Sequence, residues 1–304
     1  MSRVASPTTG RLYGIAQTCR IWGIGRATVY RQRHAEDAGV PRRRPGPQGT
    51  LDDTALVKRI RDEIQSSPFH GEGYRKIWAR LRFSGVRTTA KRVRRLMGEH
   101  GLLAPHRIAP SRDRPHDGTI VTDRIDTMWG TDMTQTVTTQ TGRAYVFVAI
   151  DHCSGEVVGI HAAERATRFE ALEPIRQGVR RNFGGFDKNI AQGLSLRHDH
   201  GSNYMAHDFQ DEIAFLGIEA SPSFIRQPEG NGVAERFIRT LKENCLWVET
   251  FATIEDLRLG LRAFADRYNA AWMVAKHGYK TPNQVRADQS KVENSPVKPV
   301  ALAA

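Results

Sequence analysis

Apolar residues keep a helical spacing through the first third of the chain and then gather into short strand-like runs separated by helices. Leu12 to Trp22 has the helical interval, Gly23 and Gly25 interrupt it, and Ala27 to Arg33 resumes it. A helix, a Gly-containing turn and a short basic helix form the outline of a helix-turn-helix over residues 1–40. Residues 41–50 carry Pro41, Arg42, Arg43, Arg44, Pro45 and Pro47 and have no apolar face, which predicts a basic linker lying along a phosphate backbone. Residues 51–104 predict a second helical domain with three helices. Leu51 to Ile64 opens on Asp52 and Asp53, and Tyr74 to Leu81 puts Ile77, Trp78 and Leu81 on one face. Ala90 to His100 is capped by Thr88 or Thr89 and stopped by Gly101. This last helix sets Val93, Leu96 and Met97 against Lys91, Arg92, Arg94 and Arg95, the pattern of a groove-reading element.

Residues 105–123 are polar, rich in Pro and Arg and without period, and read as a linker. Beyond them, Met128–Val137, Ala144–Ile150 and Glu156–Ala162 predict three antiparallel strands with short connections. A helix over Arg168–Asn182, a buried strand over Leu194–His198, a helix over Tyr204–Leu216 and a short strand near Ile218–Ala220 complete a five-stranded mixed α/β sheet. The core is expected over 124–247, with a C-terminal helical segment and tail over 248–304.

Charge divides the chain in the same place. Residues 1–116 hold 24 Lys and Arg against 9 Asp and Glu, whereas 117–304 hold 21 against 24. The whole excess of +12 therefore lies in the first third, as expected of a DNA-holding region joined to a near-neutral domain with another task. The longest apolar run, near Tyr145–Ile150, is far too short to cross a bilayer. Cys19, Cys153 and Cys245 stand far apart without a CxxC pair, which excludes a disulfide framework and predicts reduced thiols in a cytoplasmic protein.

Three carboxylates carry the candidate chemistry: Asp132 in Trp129-Gly130-Thr131-Asp132, Asp199 where an apolar run meets a turn, and Glu235 near the start of a helix. Converging carboxylates can hold two Mg²⁺ ions, which suit in-line displacement at a phosphodiester. Glu235, Arg239 and Lys242 follow at i, i+4 and i+7, so one face presents a carboxylate and then two cations. Asp123, Asp126, Asp151 and Glu229 are weaker candidates for the same role, and His198 and His200 lack the further ligands a zinc site needs.

With these residues in view, the chain resembles the second-frame transposase of bacterial insertion sequences of family three. The resemblance rests on Gly73-Tyr74-Arg75-Lys76-Ile77 and Val93-Arg94-Arg95-Leu96-Met97 in the helical domain. In the core it rests on Trp129-Gly130-Thr131-Asp132, on Asp199-His200-Gly201-Ser202-Asn203-Tyr204, and on the thirty-five residues from there to Glu235. Near the end it rests on Arg267-Tyr268-Asn269, His277-Gly278-Tyr279 and Thr281-Pro282. It implies a ribonuclease H-like core like that of retroviral integrases, with Asp132, Asp199 and Glu235 as a DDE triad binding two Mg²⁺ or Mn²⁺ ions. Lys242 falls where the family places a basic residue that contacts the transposon end. The implied partners are terminal inverted repeats, target DNA, further copies of the chain and the element's first-frame protein, with the protein associated with the nucleoid. Glu229-Gly230-Asn231-Gly232 departs from the family's usual Asp-Asn-Ala pattern, and Trp272 and Met273 stand where basic residues are common. A DNA-binding repressor with an inactive core, or a nuclease without strand transfer, fits the same composition.

Overall fold

The computed structural model describes residues 4–37, 51–105, 120, 122–223 and 231–293. Met1–Thr50 and Leu51–Ala304 form two compact units. In the first unit α1 (Ile15–Trp22) ends on Gly23 in the left-handed conformation, and α2 (Arg26–Asp37) follows. Cys19 is the one buried apolar side chain among its described residues, while Leu12, Ile21, Trp22 and Tyr30 are exposed. The basic linker with Arg42, Arg43 and Arg44 lies outside the described residues.

The second unit begins with three helices, α3 (Asp53–Ser66), α4 (Tyr74–Phe83) and α5 (Ala90–Glu99). Their starts follow from capping. The Asp52 carboxylate accepts from Ala55 N at 2.7 Å, and the Thr89 hydroxyl accepts from Arg92 N at 3.2 Å. Leu56, Ile60, Ile77, Leu81, Val93, Leu96 and Met97 close a small core among them.

The sheet has the order β3-β2-β1-β4-β5. β1 (Met128–Thr138), β2 (Gly142–Asp151) and β3 (Val157–Ala163) form the antiparallel part. β4 (Ser195–His198) and β5 (Glu219–Pro222) run parallel to β1. Between them come α6 (Arg168–Phe183) and α7 (His207–Phe215). Beyond the sheet lie α8 (Gly232–Leu241), a π-helical turn at Lys242–Leu246, α9 (Ile254–Ala271) and α10 (Pro282–Glu293). Strand alternation splits the interior into two layers. Trp129, Phe147, Ala149 and Leu196 pack with α6 and α7, while Val146, Val148 and Ile150 pack with α8 and α9.

The C-terminal segment, expected to begin at 248 as a separate region, shares that second layer. Leu257, Leu261, Phe264 and Tyr268 of α9 are buried in the same cluster as Val148 and Phe237. Asn269 finishes the outer edge of β3, because its side chain accepts from Val157 N at 2.9 Å and donates to Val157 O at 3.0 Å. An amide that pairs with both backbone groups of one residue blocks a further strand from adding there. The helical domain is anchored on the same layer by Phe69, edge-on to Phe264, Tyr268 and Trp272.

Two glycines set how closely α6 lies on the sheet. A Cβ on Gly159 would fall 1.9 Å from the Pro174 carbonyl oxygen, and one on Gly178 would fall 2.7 Å from the Trp129 ring. At Gly159 the obstacle is backbone, which cannot swing aside. Gly159→Ala should therefore destabilise the second unit by about 3 kcal/mol, at the upper end for overpacking. A urea midpoint equal to the wild type's would show that α6 does not bear on β3 as described.

Candidate functional site: carboxylates on one face of the central strand

β1 is the middle strand, and its pairing with β4 decides what lies beside Asp132. The parallel register joins Met128 to Ser195, Trp129 to Leu196 and Gly130 to Arg197. Carried two residues further at the same offset, it sets Asp199 level with Asp132. Both residues fall on the α8 side of the sheet, since Gly130 and Asp132 alternate with Trp129, which is buried on the other. Asp199 follows the last residue of β4, where its Oδ1 accepts from Gly201 N at 2.8 Å in a tight turn. His198, one residue earlier, turns to the opposite layer and stacks on Tyr204.

Glu235 arrives from α8. The helix buries Ala234, Phe237, Ile238 and Leu241 and leaves Glu235 and Arg239 exposed. Its first turn is tied to β1, because the Asn231 side-chain amide donates to Thr131 O at 2.8 Å. Thr131 adjoins Asp132, and Asn231 stands four residues before Glu235, one turn along the same face. The tie needs Gly130, where a Cβ would come within 2.7 Å of both Asn231 Oδ1 and His152 Nε2. Sequence reasoning missed Asn231 and His152 as contributors. The available signal was Asn231 at four residues before Glu235, next to a glycine-bearing strand.

The electrostatics record how these groups meet. Burial pushes the Asp132 carboxyl up to about 6, helped by the charges of Asp199 and Glu235 and opposed by Met133 N–H and by Lys242. The Met133 bond is 2.7 Å. Asp199, Glu235 and Lys242 are thus each within charge reach of Asp132, and Lys242 opens the π-helical turn that continues α8. Burial also raises the Tyr204 phenol, with Asp132 and Asp199 adding to the effect. Burial, with the charges of Lys276 and Arg197, lowers His152 to about 4, so its imidazole is neutral.

The alternative acids have structural partners. The Asp126 carboxylate accepts from Arg286 at 2.7 and 2.9 Å, from Asn182 at 3.0 Å and from the Trp129 indole at 3.0 Å. Burial alone would raise Asp126, but Arg286 outweighs it and leaves the carboxyl below the ordinary Asp value. Asp151 accepts from Ser154 N at 2.6 Å, from the Ser154 hydroxyl at 2.7 Å and from Asp126 N at 2.8 Å. Asp123 offers its backbone carbonyl to Gln289 at 3.0 Å. Glu229 lies outside the described residues.

Among the described residues, no three His, Cys, Asp or Glu side chains are drawn together into a ready-made metal cage. The donor set nonetheless fits Mg²⁺ or Mn²⁺. Mg²⁺ keeps several waters and is bound through one or two carboxylates plus substrate phosphates rather than by an all-protein shell. A carboxylate raised first by burial and then by two neighbouring acids is a place short of positive charge, which such an ion would supply. His198 is turned away to Tyr204, which does not suit zinc.

The basic face of α5 divides in two. Arg92 and Arg95 both pair with Asp53 at 2.6 Å, Arg95 also pairs with Glu99 at 2.8 Å, and Arg92 donates to Leu51 O at 2.8 Å. These bonds from Arg95 and Arg92 hold the Asp53 carboxyl below its usual range. Lys91 and Arg94 are exposed, with the Arg94 guanidinium 5.7 Å from the centre of the Tyr74 ring.

Comparison with known proteins follows the same division of the chain. Residues 50–109 match the family model described as an HTH-like domain, and residues 123–228 and 216–282 match two described as an integrase core domain. The chain is 27% identical over 282 residues to transposase InsD for insertion element IS2A/D/F/H/I/K of Escherichia coli, covering 90% of this chain and 91% of that protein. It is 26% identical over 287 residues to an uncharacterized 48.2 kDa protein of insertion element IS2A of Escherichia coli, spanning 92% of this chain but 66% of that protein's length. Among solved structures, the catalytic core domain of BIV integrase is 20% identical, covers 56% of this chain and 99% of its own, and superposes with a TM-score of 0.41. Among the described residues no helix is long and apolar enough to cross a membrane. The chain thus carries an HTH-like domain leading into an integrase core, and it is similar to insertion-element transposases over nine-tenths of its length.

Proposed function

We propose that this protein is a metal-dependent DNA transposase that nicks the ends of an insertion sequence and joins the freed 3′ ends to target DNA. The observation that carries the reading is the β1–β4 register, which sets Asp199 level with Asp132, together with the charges of Glu235 and Lys242 that reach Asp132 from α8 and its continuation. Asp132, Asp199 and Glu235 are the residues that would hold two Mg²⁺ or Mn²⁺ ions. Ions held there would favour the deprotonated form of an attacking water or 3′-OH at neutral pH and offset charge on the leaving oxygen. Lys242, with Arg239 exposed one turn before it, offers cationic side chains to the phosphates on either side of the scissile bond. Water would attack the phosphodiester at the element's end and release a 3′-OH, and that 3′-OH would then attack a target phosphodiester and release the target's own 3′-OH, with no covalent protein–DNA bond.

Lys91 and Arg94 are the cations of α5 free to face a DNA groove, whereas Arg92 and Arg95 brace α3 against α5. Arg42, Arg43 and Arg44 would add contacts to the phosphate backbone. In this reading the partners are terminal inverted repeats, target DNA, further copies of the chain and the element's first-frame protein, in a nucleoid setting.

Labelled element-end DNA incubated with the protein and Mn²⁺ should yield nicked and joined products that disappear in Asp132→Asn, Asp199→Asn and Glu235→Gln. Binding without cleavage in any metal would sink the reading in favour of a repressor, and cleavage without joining would favour a nuclease. The Lys91→Ala/Arg94→Ala pair should lower the salt slope of end binding by about 2 while leaving the melting temperature unchanged. Arg92→Ala/Arg95→Ala should instead lower the melting temperature. Equal effects of the two pairs on binding and melting would remove the distinction.

Asp132 also predicts a pH-dependent trade. Its folded pKa of about 6 lies above the ordinary Asp value, so it favours folding fully below pH 4 and loses that contribution as pH rises through 6. In metal-free buffer at pH 7.5, Asp132→Asn should be more stable than the wild type by on the order of 2 kcal/mol, with the gain gone near pH 4. A destabilised Asp132→Asn at pH 7.5 would contradict the electrostatic account.

A further inference from the structure

Behind Asp132, three elements meet at a single point. Gly130 of β1, Asn231 at the head of α8 and His152 after β2 converge so closely that a methyl group on Gly130 would strike both side chains. Asn231 and His152 are each at least nine-tenths buried, at 5% and 4% exposure. Asn231 Oδ1 and both His152 ring nitrogens lack a hydrogen-bond partner, so two buried polar side chains are kept in an interior that ordinarily excludes such groups. The Asn231 amide donates to Thr131 O at 2.8 Å, which ties this point to the strand that carries Asp132.

His152 is held from behind by its own backbone. Its N–H donates to Met128 O at 2.9 Å, and its carbonyl accepts from Lys276 Nζ at 2.7 Å. His277 Nε2 meets the neighbouring Cys153 carbonyl at 2.6 Å. The closing segment of the chain therefore fixes the turn after β2, the turn fixes the imidazole, and the imidazole fills the space beside Asn231.

From this arrangement we infer that Asn231 is a positioning residue: its hydrogen bond to Thr131, backed by His152, holds Glu235 in step with Asp132. The inference rests on the reading of Asp132, Asp199 and Glu235 as metal-holding residues. A carboxylate on a helix that can slide or roll by a fraction of a turn does not keep its place relative to one on a strand. Groups that orient metal-ligating side chains set metal affinity by 10- to 100-fold in general.

The test uses the full chain and Mn²⁺ as the probe. Mn²⁺ binding is followed by the electron paramagnetic resonance signal of the free ion, and end cleavage is titrated against Mn²⁺ in parallel. Asn231→Leu keeps the side-chain shape but cannot donate to Thr131, and Asn231→Ala removes shape and donor together. Both should raise the Mn²⁺ concentration for half-occupancy and half-maximal rate by about tenfold, with most of the rate recovered at saturating Mn²⁺. Val179→Ala, a cavity on the opposite layer, should lower the melting temperature without moving either Mn²⁺ midpoint.

An Asn231→Leu protein with the wild-type Mn²⁺ midpoints would overturn the inference, as would a Val179→Ala protein whose midpoints shift equally. Should Asn231→Ala not fold, Asn231→Leu alone decides the matter. If wild-type Mn²⁺ binding survives Asp132→Asn unchanged, the metal-site reading itself fails, an outcome separate from either of these.

Discussion

Three parallel backbone pairs between β1 and β4 are the constraint on which the site depends. The antiparallel hairpins hold Asp132 in the centre of the sheet, but they put only apolar residues opposite it, Val148 on the neighbouring strand. A second carboxylate can reach that position only from a strand on the other side, running in the same direction and ending level with Asp132. β4 is four residues long and supplies little pairing energy of its own. Its register is held by burial, since a slip of one residue would carry Leu196 out of the α6 layer and Asp199 to the wrong face. The placement of the candidate carboxylates and the hydrophobic alternation are therefore the same constraint.

The two groups of buried acids show opposite solutions to the cost of burying charge. Below the start of β1, Asp126 and Glu156 are met by Arg286, and Arg181 also reaches Glu156 at 2.7 Å. That network ties α10 and α6 to the ends of β1 and β3, and every acid in it has a cation. At Asp132 burial, with the charges of two more acids, raises the carboxyl against a single lysine and the Met133 N–H, whereas at Asp126 the Arg286 guanidinium, with Asn182 and Trp129, overcomes the effect of burial. Burial raises Glu156 even within the braced network, so it is the shortage of cations around Asp132, and not the raised carboxyl alone, that suits a positive ligand.

Much of this was legible in the sequence. Local signals read well: the Thr89 cap, the helix from Arg168, and the strands beginning at Met128 and Ala144 all appear within one or two residues of their expected places. Asp199 and Glu235 were legible as candidates because each sits beside a turn or helix start that would present it, and Asp132 through the Trp129-Gly130-Thr131-Asp132 run at the head of a strand. The supports were not, because their partners are distant in sequence. Asn231 bonds across 100 residues to Thr131, Asn269 across 112 to Val157, and Arg286 across 160 to Asp126. Nor does helical spacing reveal the π-helical turn at Lys242, which changes the continuation of the face bearing Glu235 and Arg239. The motifs Arg267-Tyr268-Asn269 and His277-Gly278-Tyr279 read as family marks. In the fold they act as fasteners, with Tyr268 stacked on Trp272 and His277 on the Cys153 carbonyl.

The same turn explains why the helical domain is no loose appendage of the core. A π-helical turn widens the backbone ring and leaves carbonyls and side chains offset from their α-helical places. Here Asn244, inside the turn, keeps its amide nitrogen on Thr240 O at 3.0 Å and gives its carbonyl to His70 N at 2.7 Å. Phe69, the preceding residue, fills the aromatic cluster of α9, and Lys76 lies over the Trp272 ring. The segment linking α3 to α4 is thus bonded to the turn that begins at Lys242, two residues from Asn244. A DNA end gripped by α5 would then meet the carboxylates at a spacing set by packed side chains, whereas a flexible tether would leave that spacing to chance.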